Sequence, residues 1–270
     1  MAEQGQPRGR KTALLTGASS GIGSELTSVF AAGGFDLVLV ARSAGRLEQL
    51  AGELRSRHGV GVRVLAKDLA VAAAAREVWQ ELGEAGTQID VLVNNAGFGT
   101  YGPFAETDLN AELQEMQLNM VTPTELTKHF LPGMLARRWG RILNVASTAA
   151  FQPGPLMAVY YATKAYLLWF SEALAEELAG TGVTVTALCP GPTSSGFQAR
   201  AAMEESKLFA GKNLMTAAAV ARAGYDGLLA GRRIVIPGLM NRLLAQSARV
   251  SPRRLVTRIV RRMQERKGGH

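Results

Sequence analysis

Tyr160 and Lys164 stand four residues apart in Tyr160-Tyr161-Ala162-Thr163-Lys164, a stretch whose apolar periodicity predicts a helix to about Ala179. At that spacing both side chains project from one helical face. A lysine ammonium so placed predicts a Tyr160 pKa below the ordinary phenol value of about 10. Such a tyrosine can give a proton to a developing alkoxide or take one back. Ser147 closes a predicted strand upstream and can hold a carbonyl oxygen. Taken alone, the motif is short and better describes a partly buried tyrosine beside an incidental surface lysine. Tyr161 offers a second phenol, but no lysine follows it at i+4, so it reads as a packing residue.

A second cluster of chemistry-bearing residues lies near the start of the chain. The stretch Thr16 to Gly23, TGASSGIG, ends one predicted strand and opens a helix. Glycines at 17, 21 and 23 let the backbone turn tightly and approach a pyrophosphate, which the unpaired amides of the following helix then receive. Glycine is also needed in tight turns that bind nothing, so position matters. This turn sits at the first strand–helix junction of a long alternating pattern, which favours a dinucleotide site. The next strand ends in Ala41-Arg42 rather than in a carboxylate. Arginine suits the 2′-phosphate of NADP, whereas an acid would bind the ribose hydroxyl of NAD. NADP(H) is therefore favoured over NAD(H).

The elements that must position these groups are legible as apolar runs: TALLTG, DLVLVA, VRVLAKD, DVLVNNAG, RILNVAS, VTVTALCPG and RRIVIPG. They are apolar at successive positions, as strands buried on both faces should be. Segments with i, i+3, i+4 periodicity separate them. The fold class implied is α/β, a single Rossmann-type doubly wound parallel sheet of about seven strands with helices on both faces and a C-terminal helical extension. The domain reading is a disordered tail at 1–10, a catalytic domain at 11–238 with a mobile substrate segment at 193–215, and a basic amphipathic helical extension at 239–270. The short run of alanines at 70–75 suits a helix start.

Composition narrows the function classes. Hydrophobic residues at 47% and charged residues at 19% fit a globular chain. No apolar run reaches the roughly 18 residues that a membrane span needs, and the polar N-terminus carries no apolar leader. A lone cysteine, Cys189, and scattered His58, His129 and His270 exclude a disulfide framework and a zinc-like cluster. The compartment expected is reducing and cytoplasmic, and no metal is expected. The net charge of +8 would suggest nucleic acid. Residues 231–270, however, hold eleven Lys and Arg against a single acid, Glu265, and the remainder is slightly acidic. No nucleic-acid partner is expected, because the basic segment lacks stacking aromatics.

Seven short motifs then fall in one order. TGASSGIG, Asp68-Leu69, Asn94-Asn95-Ala96-Gly97, Asn119, Ser147, Tyr160-x-x-x-Lys164 and Pro190-Gly191 together resemble the short-chain dehydrogenase/reductase family over about residues 10–235. Longer phrases, LVLVARS and YYATKAYLLWFSEALAEEL among them, resemble a broad bacterial branch of NADPH-dependent reductases. The resemblance implies an oxidoreductase that transfers a hydride between NADP(H) and a carbonyl or alcohol carbon. It implies Asn119, Ser147, Tyr160 and Lys164 as catalytic residues, with Asn119 kinking its helix and holding a water. It implies cofactor contacts from Gly17, Ser19, Ser20, Gly21, Ile22, Gly23, Arg42, Asp68, Leu69, Asn95, Ala96, Gly97, Tyr160, Lys164, Pro190, Gly191 and Thr193. Family members are commonly dimers or tetramers, so a homodimer or homotetramer through the helices at about 105–138 and 157–180 is expected. An NADP(H)-binding sensor or scaffold without turnover is the alternative, and the unsubstituted catalytic set argues against it. A dehydratase or epimerase could use the same Tyr–Lys pair.

The substrate is read from what surrounds the motifs. Phe98, Tyr101, Phe104, Phe151, Met157, Phe197, Met203, Leu208 and Phe209 give an apolar character that favours a hydrophobic ketone, aldehyde or alcohol. Phe98, Phe151, Met157 and Phe197 are the candidate lining residues. In the segment 252–266, Leu255, Val256, Ile259, Val260 and Met263 recur at helical spacing among arginines. A helix of this kind can lie on an anionic membrane surface, or dock on its own chain or a second subunit. The narrowness of the apolar stripe favours docking over peripheral membrane contact.

Overall fold

The computed structural model describes residues 9–194 and 214–265. Most of the 1–10 tail and of the 193–215 segment, with Phe197, Met203, Leu208 and Phe209, lies outside the described residues. Among the described residues nine strands occur in chain order: β1 Thr12–Thr16, β2 Asp36–Ala41, β3 Val62–Ala66, β4 Val91–Asn94, β5 Gly140–Val145, β6 Val183–Leu188, β7 Thr193–Ser194, β8 Met215–Thr216 and β9 Ile234–Val235. The helices are α1 Gly21–Ala32, α2 Ala44–His58, α3 Ala74–Glu84, α4 Leu109–Met116, α5 Thr122–Ala136, α6 Ala158–Glu177, α7 Ala217–Leu229, α8 Leu239–Val250 and α9 Arg253–Gln264.

Seven strands form one sheet in the order β3-β2-β1-β4-β5-β6-β9, every pairing parallel. β7 and β8 pair separately as a short parallel ribbon. The apolar runs were apolar at every position because both faces are covered. Ala13, Leu15, Leu37 and Leu39 point to the side packed by Leu26, Phe30, Leu47 and Val220 of α1, α2 and α7. Leu14, Val38 and Val40 point the other way, toward Val78, Leu82, Leu126 and Met134 of α3 and α5. At about 25 cal/mol per Å² of apolar surface removed from water, these two layers supply most of what holds the sheet together.

The strand order reverses between β1 and β4, whose carboxyl ends part there and open a crevice. The alanine run at 70–75 starts its helix later than its composition suggests, at Ala74. The Asp68 carboxylate accepts the Ala70 amide at 3.0 Å and diverts the backbone into a turn first. Among the described residues no helix is long and apolar enough to cross a membrane, and no group of three His, Cys, Asp or Glu could hold a metal ion.

Candidate active site

The crevice at the switch point holds a cavity of about 430 Å³. Its first wall is the turn between β1 and α1. Gly17 adopts φ +65°, a conformation that side chains avoid, and its amide is held by the Val40 carbonyl at 2.8 Å. A Cβ on Gly23 would overlap the Gly17 carbonyl oxygen, so only glycine lets α1 begin so close to the turn. The Asn95 side chain braces the turn by donating to the Thr16 carbonyl at 2.9 Å, while the Thr16 hydroxyl accepts the Asn95 and Ala96 amides at 3.0 Å. The N-terminus of α1 has no side-chain cap, which leaves its first amides for a ligand. Gly17, Ser20, Gly21, Ile22, Gly23, Asn95, Ala96 and Gly97 all line the cavity. Ser19 lies within the turn but does not line it.

Toward the β2–β3 side, Arg42 follows β2 directly and Asp68 follows β3. Their ion pair spans 4.0 Å with side chains 69% and 46% exposed, so it ties up little of the guanidinium. Leu69 is a core residue whose carbonyl accepts the Thr122 hydroxyl at 2.7 Å.

The second wall is built from β4, β5, β6 and α6. Asn119 sits in a π-helical turn, Gln117–Val121, that joins α4 to α5. Its amide nitrogen donates to the Phe98 carbonyl at 2.9 Å and the Thr163 hydroxyl at 3.0 Å, and its oxygen accepts the Phe98 amide at 3.3 Å. A widened turn of this type leaves backbone carbonyls able to take other partners. Ser147, at the end of β5, accepts the Ala149 amide at 3.0 Å and shares a hydrogen bond with the Tyr160 phenol. Lys164 is buried, donates to the Val145 carbonyl at 2.9 Å, and lies 5.7 Å from the centre of the Tyr160 ring. Pro190 accepts the Thr148 amide at 2.9 Å, and the Thr193 hydroxyl donates to the Gly191 carbonyl at 2.9 Å. Ser147, Tyr160, Lys164, Pro190, Gly191 and Thr193 line the cavity together, while Asn119 stands behind it.

The electrostatics correct one expectation. The i+4 lysine predicts a lowered Tyr160 pKa, but burial dominates and holds the phenol above its ordinary value, opposed by the Ser147 hydrogen bond. Burial also pushes Lys164 down to about 8, against the pull of Glu115. Each group is desolvated by the walls that bring them together, and Lys164 directs a proton to Val145 rather than to the phenol oxygen. Tyr161 is pushed up to about 12 by burial and packs beside Met157 and Val260, yet it also lines the cavity, beyond its reading as a packing residue.

The substrate side is less like its sequence reading. Met157 is buried and lines the cavity. Phe98 and Phe151 do not line it, and Phe151 packs against Ala146, Ala150 and Leu168 instead. Phe104 is largely exposed. Tyr101 turns away to donate to the Gln264 backbone carbonyl at 2.6 Å. Their places are taken by residues that motif spacing does not reveal: Gln152, Leu214, Met215, Asn241, Leu244, Ala245, Met263 and Gln264. The C-terminal helices supply five of these. Val256 and Val260 of α9 bury against Ala149, Met157 and Tyr161, and the Gln264 amide donates to the Tyr161 hydroxyl at 2.6 Å. The one sequence signal for this wall was the amphipathic period of 252–266.

A parallel sheet with a glycine turn at its switch point, faced by a Ser–Tyr–Lys set on the next elements, defines a dinucleotide-binding oxidoreductase scaffold. The short chain dehydrogenase family profile matches residues 11–206. The chain belongs to the short-chain dehydrogenase/reductase family. It is 37% identical over 194 residues to a short chain dehydrogenase of Pseudocercospora fijiensis, covering 71% of this chain and 62% of that one. The chain spans from about half to two thirds of the length of the curated relatives it matches. Among solved structures it resembles a short-chain dehydrogenase from Sphingobium yanoikuyae in complex with NADPH, at TM-score 0.80 and 33% identity over 89% of this chain and 93% of that one. It also resembles a bulky-bulky ketone specific alcohol dehydrogenase from Comamonas testosteroni, at TM-score 0.76 and 31% identity over 89% and 92%.

Proposed function

We propose that the chain is an NADP(H)-dependent oxidoreductase that interconverts a hydrophobic ketone or aldehyde and its alcohol, with Tyr160 as acid/base. The observation that carries this reading is the convergence of Ser147, Tyr160 and Lys164 on the same cavity as the Gly17–Gly23 turn. The residues present fit a dinucleotide. A Cβ on Gly17 or Gly23 would clash with the neighbouring backbone and Asn95, so only glycine allows this tight turn, and the start of α1, which has no side-chain cap, lines the cavity. Arg42 offers an exposed guanidinium at the end of β2, the position that meets a 2′-phosphate. Leu244, Ala245, Met157 and Met263 give the opposite end an apolar lining that suits a bulky hydrophobic substrate.

When bound, the nicotinamide supplies or accepts the hydride. The protein's part is proton handling and orientation. The Ser147 hydroxyl and the Tyr160 phenol converge on a carbonyl oxygen and hold it. Burial keeps Tyr160 protonated at neutral pH, which is the form that reduction consumes. As negative charge develops on the substrate oxygen, Tyr160 donates its proton, and the Lys164 ammonium favours the phenolate left behind. Oxidation reverses these roles.

The test is a panel of aliphatic, aromatic and bulky ketones followed through NADPH absorbance, repeated with NADH. Tyr160→Phe is expected to lose about 10²-fold or more in turnover while still binding NADPH. Arg42→Ala is expected to lose about 10-fold or more in kcat/KM with NADPH but little with NADH. Turnover retained in Tyr160→Phe overturns the acid/base reading, and equal losses with both cofactors in Arg42→Ala overturn the NADP preference.

For assembly, we infer a homo-oligomer through α4, α5 and α6. Leu109, Leu113 and Met116 of α4, Val121 of the turn before α5 and Trp169 of α6 stand exposed, more apolar surface than isolated surface residues explain.

A further inference from the structure

Behind the cavity lies a carboxylate that the proposed chemistry does not use. Glu115, in the last turn of α4, is fully buried. Its Oε2 accepts the Thr100 amide at 2.7 Å and the Thr100 hydroxyl at 2.8 Å, while Oε1 is buried with no hydrogen-bond partner. An acid kept only to anchor Thr100 would gain nothing from that orphaned oxygen, and an amide or hydroxyl could do the anchoring without burying charge.

Its surroundings point to the reacting groups. Asn119, one turn further on, holds Phe98 through both amide and carbonyl, so Glu115 and Asn119 grip the Phe98–Thr100 backbone from successive turns. Between those grips, a Cβ on Gly99 would come within 2.8 Å of the Tyr160 ring, so this peptide lies directly against the phenol. A Cβ on the neighbouring Gly97 would meet Asn119 Oδ1 at 2.9 Å and Lys164 Nζ at 3.3 Å. The charged and titratable groups that face Glu115 are Glu112 from its own helix, and Lys164 and Tyr160 from α6. Glu112 is turned aside to the Thr107 hydroxyl at 2.9 Å. Lys164 is the cation in this set.

We propose that Glu115 is a positioning residue whose carboxylate faces Lys164 from behind and holds it as the ammonium beneath Tyr160. This rests on the reading of Tyr160 as acid/base. A carboxylate there favours the protonated form of Lys164 and disfavours the phenolate of Tyr160, so both groups titrate higher than they would without it. Glu115 is itself raised to about 7 by burial, opposed by its two Thr100 hydrogen bonds, and so takes up its charge as the solution approaches neutrality.

The first measurement is the pH profile of kcat/KM for NADPH-dependent reduction in wild type and Glu115→Gln. The glutamine keeps an acceptor for Thr100 and removes the charge. Its alkaline limb is expected about one pH unit lower, because Lys164 and Tyr160 both lose the same anion. A limb that superimposes on wild type, with Tyr160→Phe inactive, overturns this proposal alone. Turnover retained in Tyr160→Phe overturns the acid/base reading alone.

The second measurement needs no substrate. A carboxyl whose folded pKa is raised from 4.5 to about 7 stabilises the fold below the lower value and loses that contribution as pH rises through the higher one. The melting temperature of Glu115→Gln relative to wild type should therefore climb between about pH 5 and about pH 7. Thr100→Val leaves the carboxyl in place but removes a hydrogen bond that favours its charge, so its own loss of stability should begin at the same pH as in wild type and continue to higher pH. A pH-independent difference in both variants overturns the buried charge on which the proposal stands.

Discussion

Replacing Gln264 by leucine, Tyr161 by phenylalanine, and both together isolates the clasp that holds the C-terminal helix over the cavity. The Gln264 amide donates to the Tyr161 hydroxyl at 2.6 Å, and both residues are buried, at 1% and 7% exposure. Each single change therefore leaves a polar partner stranded without water, which costs about 1–3 kcal/mol. The two costs are not equal. Gln264 Oε1 already lacks a partner, so removing the whole amide also removes an existing defect. Gln264→Leu should thus cost about 1 kcal/mol, while Tyr161→Phe, which strands the amide entirely, should cost about 2 kcal/mol. The double variant strands nothing. It should be more stable than the sum of the singles by about 1–2 kcal/mol, within the range seen for directly contacting pairs. The Tyr101 bond to the Gln264 backbone survives all three changes. Urea unfolding with a common m-value measures the cycle, and kcat/KM for a bulky ketone reports whether the cavity wall shifts with it. Additive losses, within about 0.5 kcal/mol, would refute the claim that the two side chains form one buried unit.

Two further outcomes follow from burial and exposure. Lys164→Met should abolish turnover yet raise the melting temperature at neutral pH. The folded pKa of about 8 lies below the unfolded 10.5, so the ammonium is buried at a cost on the order of 3 kcal/mol, of which about 1 kcal/mol is offset by the Val145 hydrogen bond. A depressed folded pKa makes stability rise with pH between those values, so the variant's advantage should shrink from about pH 8 to about pH 10, and an advantage that grows there contradicts the sign. Trp169, 68% exposed on α6, should lie in a subunit interface. Light scattering is expected to give a multiple of the 28.7 kDa protomer mass and to fall toward one protomer in Trp169→Glu, whereas a wild-type mass of one protomer overturns the assembly.

Much of the fold was readable because its signals are local or periodic. Uninterrupted apolar runs such as DLVLVA can only be strands covered on both faces, and the order of strands and helices then leaves few topologies. The Gly17–Gly23 turn and the Tyr160–Lys164 spacing were readable for a similar reason, since each places its groups through the geometry of one turn or one helix. Phe98 and Phe151, read as lining residues, do not line the cavity among the described residues. An aromatic near a motif is apolar whether it faces a ligand or a neighbouring helix, and only packing decides between them.

The sequence by itself determined the sheet and its switch point, because periodicity and short-range spacing fix those without knowledge of distant contacts, and its ordered motifs pointed to the residues proposed to handle protons. Three matters were decided only by tertiary structure. The pKa of Tyr160 depends on how completely its surroundings exclude water, and burial there outweighs the neighbouring lysine. Glu115 becomes notable only when α4 sets it behind α6, a juxtaposition across 49 positions of chain. Gln264 reaches Tyr161 from 103 residues away, so the wall it forms is a property of the folded chain and of no local stretch of it.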